Sequence, residues 1–277
     1  MFSLQSYQAV QGAGGVVRRT DRGVLAVSGT ERAAWLQGLL TNDVSRLVED
    51  QPVYAAYLTP QGRMISDMFV VASSDRILLD VPASLAESLR TRLDGLIFSE
   101  DVQVAADSGT CGVWTVITPG DLVEVVAPAL PAPYRGLPEI DLGTFDVIRI
   151  ERGVPRFLVD MFDDTIPLEA GIEDRAISFT KGCYVGQEVI VRVTHRGGGR
   201  VAKKLVRWMA DDSASIVPLE EARIEAAGKD VGRVTSAAFS PARSKVVGLG
   251  YVHRDSAEAG TELTITWNGT RLRAVVS

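Results

Sequence analysis

The groups best suited to chemistry in this chain lie close together in one short segment. Residues 181–188 read K-G-C-Y-V-G-Q-E, which places a thiol, Cys183, among an ammonium, a phenol, a carboxamide and a carboxylate. Two glycines allow the backbone to approach a ligand closely. The preceding Lys181 favours a reactive thiolate, whereas a lone cysteine is commonly inert and buried. The segment therefore indicates a nucleophilic or binding role for Cys183, with an ordinary polar turn as the alternative.

The segment after the cysteine is ambiguous between helix and strand. Glu188 and Arg192 are four positions apart, which is the spacing of an ion pair on a helix, and Arg196 extends the same face. Such a ladder of charges is commonly a solvated surface. The intervening Val189–Val191 has a strand propensity, so the local pattern leaves both structures open.

The elements that must hold this segment begin with alternating strand and helix patterns. Val24–Val27 predicts a strand, and the hydroxyl of Thr30 is placed to cap the helix that follows. Val53–Leu58 and Met64–Ala72 flank a turn with Pro and Gly, so they predict a β-hairpin. A third strand and an amphipathic helix follow from residue 76, and a less clear mixture covers residues 101–150. The first part of the chain is α+β by pattern.

The C-terminal part has a different character. Its alternating or β-branched segments predict six short strands that form a small β-barrel, at residues 201–209, 222–226, 231–239, 246–252, 262–267 and 271–276. The triple glycine Gly197–Gly199 is interpreted as the linker to this barrel, with a phosphate nest or a partner-binding loop as alternatives. The predicted domains are residues 1–200 and 201–277.

Composition limits the class of protein. The 277 residues carry a net charge of −6, which argues against a broad electrostatic grip on nucleic acid. The two cysteines, Cys111 and Cys183, form no ligand cluster with the two histidines, His195 and His253, so no metal is expected and both histidines are taken as structural or surface residues. The pattern shows no signal peptide and no apolar run long enough to span a membrane. Together these features predict a cytoplasmic protein.

The motif and the segments around it resemble a known family. K-G-C-Y-V-G-Q-E resembles the K-G-C-[YF]-x-G-Q-E hallmark of the YgfZ family of folate-binding proteins, which are relatives of the glycine-cleavage T protein (aminomethyltransferase). Further segments resemble signatures of that superfamily in the same order, at Val27–Leu47, Leu58–Phe69, Ile148–Pro155, Ile166–Gly171 and Val231–Val252. The resemblance implies an α+β folate-binding body with a C-terminal antiparallel β-barrel, and a helix that starts near Gly186.

The resemblance also implies a function. A YgfZ-like protein binds tetrahydrofolate and supports the assembly or repair of iron–sulfur enzymes, and through them tRNA modification. Folate and iron–sulfur enzymes or assembly factors are then the expected partners, with no direct nucleic acid and no membrane. The alternative is a tetrahydrofolate-dependent aminomethyltransferase or demethylase acting on a small amine. A structural interaction module that has lost folate binding is a third reading.

Several residues take roles from the resemblance. Glu151 matches the carboxylate that binds the pterin ring, and a carboxylate can accept two parallel hydrogen bonds from such a ring; a surface ion pair with Arg149 or Arg152 is the alternative. Tyr184 either stacks on the pterin or fills the core. Asn42-Asp43 is matched to a segment near the folate cavity, but a local cap or turn after the first helix is the preferred interpretation. The remaining candidate contacts to folate are Gln187, Glu188 and Arg192, and charge alone nominates Arg175, Arg192, Arg196 and Arg200 for the glutamate tail.

Asp67 is the residue that bears on the choice between an aminomethyltransferase and a folate-binding protein of the YgfZ type. Aminomethyltransferases carry two adjacent aspartates where this chain has Ser66-Asp67, and one of that pair supports the transfer of the aminomethyl carbon. A serine cannot serve as a carboxylate base. The candidate catalytic residues are therefore Cys183 for the YgfZ-like role and Asp67 for aminomethyl transfer.

Overall fold

The chain packs as two compact units. The structure is a computed structural model that describes residues 2–49, 51–107, 109–196, 200–211, 216–218 and 221–277. Residues 1–144 and 173–189 form the first unit, and residues 145–172 and 190–277 form the second. Residues 145–172 thus pack in the same unit as the C-terminal strands, although the sequence places them in the first domain. The domain division at residue 200 stays a prediction, and the proposed Gly197–Gly199 linker lies outside the described residues.

The first unit contains two β-sheets. One sheet has the strand order β3-β4-β5-β2-β6 and the other has the order β8-β7-β1-β9. The strands are β1 (Gly15–Arg18), β2 (Arg22–Ser28), β3 (Val53–Leu58), β4 (Met64–Ala72), β5 (Ile77–Pro82), β6 (Gln103–Ala106), β7 (Gly112–Ile117), β8 (Leu122–Ala127) and β9 (Glu139–Ile140).

The helices are short, so packing rather than intrinsic propensity holds them in place. They are α1 (Leu4–Ala13), α2 (Arg32–Leu39), α3 (Ala86–Asp94), α4 (Leu142–Arg152), α5 (Glu173–Ala176) and α6 (Gln187–Val191). A π-helical turn, Arg192–Arg196, follows α6. Leu36 of α2 and Leu89 and Leu93 of α3 lie in one buried cluster with Leu25, Leu79 and other residues of the first sheet.

The sequence predicts the first hairpin correctly. Antiparallel pairing joins β3 to β4, with Val53 opposite Val70 and a register shift between Tyr57 and Leu58. The predicted cap of α2 is wrong. The hydroxyl of Thr30 donates to the carboxylate of Asp101 at 2.6 Å, and Glu31 precedes the helix without a side-chain cap. The local pattern assigned this hydroxyl to the helix, but it binds Asp101, which is distant in sequence.

The predicted C-terminal barrel is confirmed. Its strands are β10 (Lys203–Ala210), β11 (Arg223–Ala226), β12 (Lys229–Ser240), β13 (Lys245–His253), β14 (Glu262–Trp267) and β15 (Thr270–Val276). They close in the order β10-β13-β12-β11-β14-β15, and every pairing is antiparallel. The barrel interior is apolar and contains Trp208, Ile224, Val234 and Ile265.

None of the helices in the described part of the chain has the length and apolar character needed to cross a membrane.

Candidate functional site

Lys181, at the start of the motif, is bound to the end of helix α2. Its Nζ donates hydrogen bonds to the backbone carbonyl oxygens of Gln37, Leu40 and Asn42, at 2.8, 2.7 and 2.8 Å. Burial lowers the pKa of Lys181 to about 8, while nearby Asp43 favours the charged form. The three carbonyl oxygens favour it too, because they accept hydrogen bonds from the ammonium. The ammonium is therefore committed to the protein's own backbone.

The next two side chains of the motif face different surroundings. Cys183 is a free, exposed thiol. Tyr184 is only 7% exposed, and burial raises its pKa to about 12. The Nζ of Lys181 lies 5.3 Å from the centroid of the Tyr184 ring. Tyr184 thus packs as a core residue beside a cation, and Cys183 is available to solvent.

The two glycines of the motif also differ. Gly186 has a φ of +83°, and a Cβ at this position would lie 2.5 Å from the carbonyl oxygen of Thr59. Gly62, in the turn of the first hairpin, has a φ of +75° and comes within 3.3 Å of the same added atom. A Cβ on Gly182, in contrast, would meet nothing within 4 Å. Gly186 thus lies against the hairpin turn of the protein itself, and the approach of the motif backbone to a ligand stays a prediction.

The end of the motif forms the helix that the family resemblance implies, and the strand alternative is wrong. Gln187 is half-buried at the start of α6, and Glu188 is exposed on the same helix. Arg192 is exposed in the following π-helical turn.

Asp67 lies in a buried network of hydrogen bonds in the first unit. Its carboxylate accepts hydrogen bonds from Arg22 Nη1 at 2.9 Å and from the hydroxyl of Tyr54 at 3.0 Å. Arg22 also donates to Asp80 Oδ1 at 2.7 Å. The guanidinium of Arg175, itself exposed, lies 5.1 Å from the centroid of the Tyr54 ring. Asp67 is thus held by two donors rather than presented alone to a substrate.

Another buried carboxylate of this unit, Glu124 on β8, pairs with Arg19. Arg19 Nη1 donates to Glu124 Oε1 at 3.2 Å, and the hydroxyl of Thr115 also lies within hydrogen-bond distance. Burial raises the pKa of Glu124 to about 7, and the negative charge of Asp80 acts in the same direction. Buried carboxylates are therefore present in both sheets of the first unit, on β8 as well as on β4.

Glu151 is half-buried on helix α4, in the second unit. The guanidinium of its neighbour Arg149, one of the predicted ion-pair alternatives, is directed elsewhere and binds Asp146, Asp160 and Ser236. Asp160 is fully buried. The main chain of Glu151 accepts a hydrogen bond from Arg207 Nη1 at 3.2 Å.

Among the described residues, no group of three or more His, Cys, Asp or Glu side chains is arranged to hold a metal ion.

Comparisons with known proteins agree with the resemblance. Residues 203–277 match the family model of the glycine cleavage T-protein C-terminal barrel domain. An aminomethyltransferase of Shouchella clausii is 28% identical over 98% of this chain and 87% of its own length. A protein of Haemophilus influenzae described as uncharacterized is 30% identical over 79% of this chain and 82% of its own.

The fold matches a solved structure as well. The crystal structure of glycine cleavage system aminomethyltransferase T from Bartonella henselae superposes with a TM-score of 0.81, covering 99% of this chain and 87% of that one at 18% identity. The chain is a YgfZ-like member of the glycine-cleavage T-protein superfamily.

In this YgfZ-like protein the predicted site residues are divided between the two units. Cys183, Tyr184, Gln187 and Glu188 follow one another on the motif loop and α6, and Asp67 lies on β4 of the same unit. Glu151 and Arg192 belong to the second unit. Their roles in binding or catalysis stay predictions.

Sequence reasoning missed the partners that hold these groups in place. Arg22 and Tyr54 bind Asp67 from strands β2 and β3. Arg22 begins β2, two positions before the predicted strand Val24–Val27, and Tyr54 lies within the predicted strand Val53–Leu58. Neither position alone indicates a partner of Asp67. The alternation of side chains along paired strands is the available signal, because it directs Tyr54 and Asp67 to a common face once the hairpin register is known.

Proposed function

We propose that this YgfZ-like chain binds a reduced folate and, through Cys183, supports the assembly or repair of iron–sulfur enzymes. The exposure of Cys183 on a loop that hydrogen bonds attach to α2 is the observation that carries the thiol's role. An effect on tRNA modification is then indirect, through iron–sulfur enzymes that modify tRNA. The net charge of −6 favours this indirect route over direct binding to RNA.

Superfamily membership supports the folate part of the proposal. Relatives that align with nearly the whole chain are named aminomethyltransferases, and Glu151 matches the pterin-binding carboxylate of the family signature. A carboxylate suits this task because it can accept two hydrogen bonds from the edge of an aminopyrimidinone ring.

Calorimetric titration of tetrahydrofolate tests the ligand directly. We expect binding to the unaltered protein and at least about a tenfold loss of affinity in Glu151→Ala, the loss that corresponds to about 1.4 kcal/mol. Glu87→Ala, which changes an exposed glutamate on α3, is the matched control and retains full affinity. Failure of tetrahydrofolate to bind the unaltered protein removes the folate part of the proposal.

Complementation in cells lacking the endogenous protein tests the thiol. We expect Cys183→Ala to lower the activity of iron–sulfur enzymes and Cys111→Ala, the matched control on the half-buried cysteine, to leave it unchanged. We expect Asp67→Asn to have little effect in this assay at equal protein level. Normal iron–sulfur enzyme activity in the Cys183→Ala strain contradicts the proposal.

The second candidate function is a folate-dependent aminomethyltransferase or demethylase, which the names of the relatives favour. This enzyme needs a carboxylate base, for which Asp67 is the candidate. Formation of methylene-tetrahydrofolate from a small amine, lost in Asp67→Asn and retained in Cys183→Ala, identifies it. The hydrogen bonds from Arg22 and Tyr54 argue against this role, because each already uses an acceptor position on one oxygen of the carboxylate.

A further inference from the structure

Every donor of the Lys181 ammonium has an acceptor within the first unit. A lysine ammonium carries three N–H groups, and Nζ lies within 2.8 Å of three carbonyl oxygens. These carbonyls belong to residues 37, 40 and 42, at and just beyond the end of α2. The contact is therefore a cap on a helix C-terminus, made by a side chain about 140 positions away.

The end of α2 has a need for such a cap. The last carbonyls of a helix lack partners within the helix, and this end carries the negative pole of the helix dipole. The backbone N–H of Val185 donates to the carbonyl of Gly38 at 3.3 Å. Lys181 and Val185 lie on either side of Cys183, so the thiol is in a five-residue span whose two ends bind the same helix terminus.

We propose that Lys181 is a positioning residue whose ammonium attaches the motif to the end of α2 and thereby fixes where Cys183 is displayed. This role differs from activation of the thiol by a neighbouring cation, because the Lys181 ammonium donates its hydrogen bonds to backbone carbonyls. Any effect of Lys181 on iron–sulfur enzymes rests on the function proposed above. The attachment of the loop to α2 does not depend on that function.

Arginine should be a poor substitute at this position. Three carbonyl oxygens converge on one nitrogen here, which suits a compact ammonium with three donors. The guanidinium is planar and spreads its donors over three nitrogen atoms. A role that needs only positive charge is restored by Lys181→Arg, whereas a role that needs this geometry is not.

The test measures hydrogen exchange of the amides in residues 178–186 and alkylation of Cys183 by iodoacetamide across a pH series. All proteins carry Cys111→Ser, so that Cys183 is the reacting thiol. The variants are Lys181→Met and Lys181→Arg. Lys245→Met is the matched control, since Lys245 Nζ also donates to a backbone carbonyl, that of Asp211 at 2.9 Å.

We expect both Lys181 variants to lose amide protection in residues 178–186 by about tenfold or more, because local opening is the step that the contacts oppose. We expect the shape of the pH profile of alkylation to stay that of the parent, and Lys245→Met to match the parent in both measurements. Lys181→Gln, which keeps two neutral donors, gives an intermediate loss of protection and serves if Lys181→Met does not fold.

Two results overturn the proposal. Unchanged protection in Lys181→Met or Lys181→Gln shows that the contacts do not hold the loop. A pH profile that moves in Lys181→Met and returns in Lys181→Arg shows that the charge acts on the thiol. Neither result depends on the cellular role of the protein. Normal iron–sulfur enzyme activity in cells with Cys183→Ala would contradict the proposed function, but it would not bear on the loop measurements.

Discussion

Arg22 Nη1 donates a hydrogen bond to Asp67 Oδ1 at 2.9 Å, and both side chains are at most 7% exposed. Arg22 binds Asp80 as well, so one guanidinium is shared by two buried carboxylates. Asp80 Oδ2 is buried and has no hydrogen-bond partner among the described residues. Removal of the guanidinium therefore leaves both buried carboxylates without their cationic partner.

Loss of the guanidinium should be costly. We expect Arg22→Met to lower the free energy of unfolding by about 3–5 kcal/mol, which is the usual effect of leaving a buried ionic partner unpaired. Urea denaturation measures the change. The matched control is Arg233→Met, which breaks an exposed pair with Glu221 and should leave the free energy of unfolding nearly unchanged. Equal effects of the two substitutions would show that the buried network contributes little.

The two glycines of the motif should respond differently to alanine. We expect Gly186→Ala to lower the free energy of unfolding by about 2–4 kcal/mol, because its φ is positive and the new Cβ meets the Thr59 carbonyl oxygen. Gly182→Ala is the matched control and should change stability by at most about 0.5 kcal/mol, since its surroundings are open. Thermal unfolding of the pair measures the difference, and a tolerant Gly186 would contradict the contact with the hairpin turn.

Asp146 and Asp160 both bind Arg149 in the second unit. We expect the more buried carboxylate to contribute more to the free energy of unfolding. We expect Asp160→Ala to cost about 3–5 kcal/mol, because Asp160 is fully buried and also accepts hydrogen bonds from Thr235 and Ser236. Asp146→Ala should cost about 1 kcal/mol or less, since the Asp146 side chain is 37% exposed. Chemical denaturation that ranks the two in the opposite order would overturn this assignment.

Glu124 should make stability depend on pH. Its pKa rises from the ordinary 4.5 to about 7 in the folded protein, so between these values the folded state binds more protons than the unfolded state. The contribution of Glu124 to the free energy of unfolding therefore falls as the pH rises through this window. We expect Glu124→Gln to remove a decrease on the order of 1–3 kcal/mol, since one pKa unit corresponds to about 1.4 kcal/mol.

Denaturation curves across this pH range provide the measurement. Arg90 lowers the pKa of exposed Glu87 below its ordinary value of 4.5, so Glu87 is ionised in both the folded and the unfolded state across this range and adds no slope. Glu87→Gln is therefore the control, and it should leave the slope of the unaltered protein unchanged. Identical slopes for Glu124→Gln and the unaltered protein would contradict the prediction.

Local patterns were sufficient where structure depends on neighbours in sequence. The hairpin Val53–Leu58 and Met64–Ala72 has the predicted bounds, because β-branched residues and a Pro/Gly turn encode it within 20 positions. The barrel strands follow the same rules. The cap of α2 failed because Asp101, which is 71 positions from Thr30, binds that hydroxyl.

The site was harder to predict for the same reason. The motif was visible in the sequence, but the partners of Lys181 lie 139 to 144 positions away. Likewise, Arg22 reaches Asp67 across 45 positions. A sequence pattern specifies which groups are present, whereas tertiary packing decides which of them are already bound to one another.

The contact between Gly186 and the Thr59–Gly62 turn has a practical consequence for engineering. A graft of the K-G-C-Y-V-G-Q-E segment alone into another scaffold would lack both the turn against which Gly186 packs and the helix end that Lys181 caps. A successful transplant must carry the α2 terminus, the hairpin turn and the motif together. The cysteine loop is in this sense a composite part, assembled from three stretches of chain.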